Sequence, residues 1–239
     1  TENLPLTITS NPDNNVIRIY YVKDTFGYTV EYYYNGVKDD TKTDSFTATF
    51  GDVISDYADK VIDGYKFDRD TAPLTITSNS ANNVLKVYYV KDVFGYTVEY
   101  YYDGKLDETK TVGPVEATFG DTIDVYAGKR IDGYKFEKAQ AEGKAATTAA
   151  EGTLEAPLVI TSKADKNVIR VYYVKDSFDY TVEYYYDGKI DSSKTEGPTK
   201  AEFASQITTY TDKVIDGYKL DKTENLPLTI TSNPDNNVI

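Results

Sequence analysis

The chain has 239 residues and a formal net charge of −13, with 26 Lys and Arg set against 39 Asp and Glu. That balance argues against nucleic-acid binding, since no patch of Lys and Arg stands ready to neutralise phosphates. There is no Cys, His, Met or Trp, so disulfides, thiolate nucleophiles, zinc–thiolate sites and the commonest general base are excluded as well.

Avoiding Cys and Met suits an oxidising exterior, where both are oxidation targets. No run is long or apolar enough to insert in a membrane. Neither a signal peptide nor an anchor is present, so an excised fragment is expected. Nothing in the composition calls for a cofactor.

Internal repetition organises the chain. Residues 1–24 read as the C-terminal hairpin of a preceding repeat. A first repeat spans 28–92, a second 96–176 and a third 180–239, with equivalent tyrosines at Tyr28, Tyr96 and Tyr180. Thr223–Ile239 repeats Thr1–Ile17 letter for letter, so the third repeat is expected to lack its last strand. The second repeat carries a low-complexity insertion near 139–152, rich in Ala, Gly, Thr and Glu, which is expected to form a protruding mobile loop or a marginal helical turn.

Within a repeat the elements follow one order. Tyr96–Tyr102 alternates, placing Val98, Tyr100 and Tyr102 on one face and Thr97, Glu99 and Tyr101 on the other. Asp103-Gly104 signals a turn, and a second strand runs through about Thr109–Phe119. Gly120-Asp121 opens a short helix on the spacing of Ile123, Tyr126 and Ala127, with Gly133 as its left-handed cap; Asp52–Ile62 gives a stronger version of the same pattern. A third strand follows from Gly133, and Pro157–Thr161 with Asn167–Lys175 forms a closing hairpin. Asn-Pro-Asp-Asn at its tip in Asn11–Asn14 and Asn233–Asn236 favours a tight turn.

Strand, strand, short helix and three more strands predict an α+β, mostly β, chain of tandem small β-grasp-like modules in a head-to-tail rod, with first and last strands parallel neighbours. If the helix fails, all-β sandwich modules are the alternative. The inner face takes Ile169, Val171 and Tyr173 with Val98, Tyr100 and Tyr102. The outer face carries Arg170 and Tyr172 beside Glu99 and Tyr101, and Lys86 near Glu31.

The strings Tyr-Thr-Val-Glu-Tyr-Tyr-Tyr-Asp-Gly, Phe-Gly-Asp, Ile-Asp-Gly-Tyr-Lys-Phe, the Asn-rich turn and Val-Tyr-Tyr-Val-Lys together resemble mucin-binding-protein-type (MucBP) repeats of Gram-positive surface adhesins. The resemblance runs block by block over essentially the whole chain. It implies an extracellular, wall-attached protein and supplies no catalytic residue, so an enzyme is not expected.

The candidate binding residues are the outer-face aromatics Tyr20, Tyr33, Tyr88, Tyr101, Tyr172 and Tyr185, which can stack on sugar rings of host glycans or glycoproteins; a simpler role is cross-strand stabilisation of an open sheet face. The inward Tyr32, Tyr34, Tyr100 and Tyr102 read as core. Phe26, Phe94 and Phe178 stand in the three-residue joints and are expected to stiffen the seam between neighbours. The Asp-rich turns lack the register of a calcium loop, so no metal is assigned. Two functions follow: a structural stalk that projects a binding domain, or a multivalent binding module gaining avidity by repetition. The incomplete ends also predict head-to-tail self-association by strand addition.

Overall fold

The computed structural model describes residues 2–148 and 150–239; Thr1 and Ala149 lie outside the described residues. The chain divides into two compact units, residues 1–92 and 93–239. Strands take 45% of the chain and helical turns 6%, and the helical turns are all short 3-10 segments. The protein is therefore mostly β.

In the first repeat an entry strand, Thr25–Tyr34, lies between Val37–Lys38 and an exit strand, Val84–Lys91, with Tyr65–Asp70 beyond it. Asp44–Thr49 also pairs with the entry strand. In the second repeat Val93–Tyr102 and Val168–Lys175 play the same parts, flanked by Val112–Thr118 and Tyr134–Ala141. Entry and exit strands are parallel neighbours in both, in register from Thr29↔Val84 to Tyr34↔Tyr89 and from Val168↔Thr97 to Tyr173↔Tyr102. The joints Thr25–Gly27 and Val93–Gly95 continue the entry strand.

The period-2 reading of the faces holds. Val30, Tyr32 and Tyr34 with Leu85, Val87 and Tyr89 form one buried cluster, and Val98, Tyr100 and Tyr102 with Ile169, Val171 and Tyr173 form the centre of another. Alternation places these side chains on one side of the sheet, and burying aliphatic and aromatic surface supplies the main driving force.

The expected helices are absent among the described residues. Val53–Ile54 pairs antiparallel with Leu74–Thr75, and Thr122–Val125 with Thr153–Val159. The following loops are kept out of helix for a reason that lies in the sheet. Tyr32 Oη donates to the Ala58 carbonyl at 2.7 Å and Tyr34 Oη to that of Lys60 at 2.5 Å. Tyr100 Oη reaches Ala127 O at 2.6 Å, and Tyr102 Oη reaches Lys129 O. A helix would use those carbonyls for amides four residues on; here they satisfy buried phenols, whose hydroxyls need a partner once desolvated. Gly64 and Gly133 do take left-handed φ of 80°, but they close turns.

The insertion also departs from expectation. Its described residues are built into the second repeat: Tyr134–Ala141 is strand, Ala139 and Ala141 are fully buried, and Thr147 is buried and exchanges backbone hydrogen bonds with Ala139 at 2.9 and 2.7 Å. Small residues fit here because the backbone runs close against the core.

Candidate functional site: the seam between repeats and the outer tyrosine face

Between the second and third repeats, Lys175 ends one strand and Ser177 begins the next, leaving Asp176 alone between them. Its amide donates to the Gly133 carbonyl at 2.8 Å, and its carbonyl accepts from the Phe203 amide at 2.8 Å. Its carboxylate accepts from Lys135 Nζ at 2.9 Å and from the Ser177 amide at 2.8 Å. One residue is thus bonded to both neighbouring repeats. Lys135, and then the Ser177 amide, hold the Asp176 carboxyl below its ordinary value of 3.8.

Phe203 completes the contact. Its ring covers Gly133 so closely that an added Cβ there would fall on the ring. It meets Tyr134 edge-on with centroids 6.1 Å apart. Gly133 is therefore required twice over, by its positive φ and by Phe203. Lys175 Nζ adds an ion pair to Glu202 at 3.7 Å.

The joint phenylalanines all sit edge-on to a second phenylalanine. Phe26 meets Phe50 at 6.3 Å, Phe94 meets Phe119 at 6.2 Å and Phe178 meets Phe203 at 6.1 Å. The ring that touches the preceding repeat at Asp176 is that of Phe203. Sequence reasoning singled out the joint rings and missed Phe203; the signal was the phenylalanine standing before Gly51, Gly120 and Ala204 in every repeat.

On the outer face, register brings the predicted tyrosines together. Tyr33 stacks on Tyr88 and Tyr101 on Tyr172, each with centroids 4.9 Å apart. Tyr33 Oη donates to Glu31 at 2.7 Å and Tyr101 Oη to Glu99 at 2.8 Å. Arg170 Nε binds the same Glu99 at 3.1 Å, while Glu31 pairs with Lys38 at 2.7 Å and Lys86 leans over the Tyr33 ring. Arg69 lies 4.4 Å above Tyr88 and Lys138 5.1 Å above Tyr172, in cation–π geometry. The hydrogen bond to Glu31, with burial, pushes the Tyr33 phenol up to about 12. All four stacked tyrosines are half-buried. Tyr20 and Tyr185 lie apart from these stacks, 64% and 59% exposed.

A groove of 860 Å³ in the third repeat borders Tyr184, Tyr186 and Tyr218. Their hydroxyls are bonded to Thr211 O, Lys213 O and Asp187, so they do not converge on a ligand position. Among the described residues no three of His, Cys, Asp and Glu gather as a metal site would need, and no helix is long and apolar enough to cross a membrane.

No protein-family model matches the chain, and no curated protein matches it in sequence.

Proposed function

We propose that the chain is a run of stalk repeats from an extracellular, wall-attached adhesin of a Gram-positive bacterium. Its repeats are read as β-grasp-like modules of the MucBP type that hold a binding domain away from the wall. The observation that carries this reading is strand direction. In each of the first two repeats the chain enters on one strand and leaves on its parallel neighbour, so entry and exit lie at opposite ends of the pair. Tension applied through the chain slides the two strands past each other, and the hydrogen bonds along the pair are loaded together instead of one at a time. A single residue separates exit strand from next entry strand at both junctions. Each strand of eight to ten residues contributes roughly 25–35 Å of length.

A multivalent glycan-binding surface is the competing reading, and the outer tyrosines are its carriers. Tyr33 stacks on Tyr88 and Tyr101 on Tyr172, with Arg69 and Lys138 over the second ring of each pair, and Tyr33 and Tyr101 give their hydroxyls to Glu31 and Glu99, which favours the cross-strand role for these four. Host glycans or glycoproteins then belong to the domain that the stalk carries.

Single-molecule stretching of the chain tests the proposal. Discrete high-force rupture events, one for each intact entry–exit pair, are expected. Smooth extension at low force would remove the mechanical reading, and specific retention on a glycan array that is lost in Tyr33→Ala/Tyr101→Ala would favour the binding module.

A further inference from the structure

Two of the differences between the second repeat and the first, one loop position and one insertion, meet in space. Tyr57-Ala58-Asp59-Lys60 in the first repeat corresponds to Tyr126-Ala127-Gly128-Lys129 in the second and to Tyr210-Thr211-Asp212-Lys213 in the third. Only the repeat with the insertion has lost the aspartate.

In the first repeat Asp59 anchors the exit strand: Tyr89 Oη donates to Asp59 Oδ1 at 2.6 Å and accepts from the Lys60 amide at 3.0 Å. In the second repeat the equivalent Tyr173 Oη accepts from the Lys129 amide at 2.8 Å and donates to Glu151 Oε1. Glu151 belongs to the insertion. A Cβ added at Gly128 would fall against the Glu151 carboxylate, so Glu151 fills the place of an aspartate side chain at position 128. Gly128 is absent from the residues with positive φ; its backbone gives no reason for glycine, and the neighbouring carboxylate does. Arg130, where the first repeat has Val61, pairs with Glu151 at 3.1 Å and holds it from the solvent side.

We infer that the insertion is a strap whose Glu151 supplies, from outside the loop, the carboxylate that latches the buried Tyr173 of the exit strand, replacing the aspartate missing at position 128. The inference is independent of the stalk reading, because it concerns how one repeat is held together.

The test is a double-mutant comparison in the full chain, read by thermal unfolding and by hydrogen exchange at the Lys129 amide. Glu151→Ala strands the Tyr173 hydroxyl and is expected to lower the midpoint by about 5–15 °C and to expose the Lys129 amide to exchange. Gly128→Asp alone forces two carboxylates into one place and is also expected to destabilise. Together the two substitutions are expected to restore both midpoint and Lys129 protection, since the introduced aspartate then stands as Asp59 does in the first repeat. Should Glu151→Ala fail to fold, recovery of a folded chain in the double variant decides alone. Additive losses, no recovery in the double variant, or unchanged Lys129 exchange in Glu151→Ala would overturn the inference.

Discussion

Residues 2–17 and 224–239 have the same sequence and different fates. Their turns are the same: Pro12–Asn14 and Pro234–Asn236 are 3-10 turns, each capped by an asparagine side chain that accepts the second amide on at 3.1 Å. Thr9 and Thr231 donate their amides to Asn15 and Asn237 at 2.9 Å in both copies. Burial separates them. Ile230 is 1% exposed and Ile8 73%. Leu228–Thr229 pairs with Gln206–Ile207, and the buried Asn237 also reaches the Asp179 carbonyl at 3.1 Å. The N-terminal copy makes only the Glu2–Arg18 bridge among the described residues. Bonds that close within a dozen residues form wherever these letters occur, whereas apolar burial needs a sheet from elsewhere in the chain.

The sharpest way to break the comparison is to cut the same atoms from both copies. Ile230→Ala removes fully buried methyl groups and is expected to cost about 2–5 kcal/mol. Ile8→Ala should stay within about 0.5 kcal/mol, as exposed sites do; denaturant unfolding of the two variants checks both values, and equal costs would erase the distinction. Asn237→Ala comes next. It leaves Thr231 and the Asp179 carbonyl without a buried partner, at about 1–3 kcal/mol, while Asn15→Ala loosens a solvated turn for less; exchange rates at the Thr231 and Thr9 amides report the two separately.

The last effect is electrostatic and shows itself as a loss of stability in alkali. Burial first, then the Asp44 carboxylate, pushes the Tyr32 phenol up to about 12, and burial does the same at Tyr100. Folded phenols thus keep their protons longer than unfolded ones. Their contribution is whole below the unfolded value of 10 and is lost as pH rises toward the folded one. Ultraviolet titration should show a late tyrosine class that merges with unfolding, and Tyr100→Phe should shrink it; titration of all tyrosines in one early step would contradict the buried network. Asp176 runs the other way. Its depressed carboxyl stabilises the seam above 3.8 and releases it as pH falls through the folded value.

Much of the fold was legible beforehand because strand alternation is a period-2 signal in the letters themselves: Val98, Tyr100 and Tyr102 read as core and are core. The parallel entry–exit pairing followed from the order of the elements. The loop after Asp52 was misread because its apolar spacing suits a helix, and the competing claim on its carbonyls comes from Tyr32 and Tyr34, far upstream in the chain. Of the candidate sites, the stacked outer tyrosines were readable from register. Phe203 and Glu151 were not, since neither carries a local pattern that names its partner.

By itself, then, the sequence determined the repeats, the two faces of each strand and the asparagine-capped turns, all of which rest on interactions within a strand or between near neighbours. Only the tertiary structure decided which copy of an identical segment is buried, that the tyrosine hydroxyls claim the carbonyls of the 58–60 loop, and that a carboxylate from an insertion stands in for an absent aspartate. Those outcomes depend on groups far apart in the chain competing for the same donors, acceptors and volume, and such competition resolves only when the sheet has brought them together.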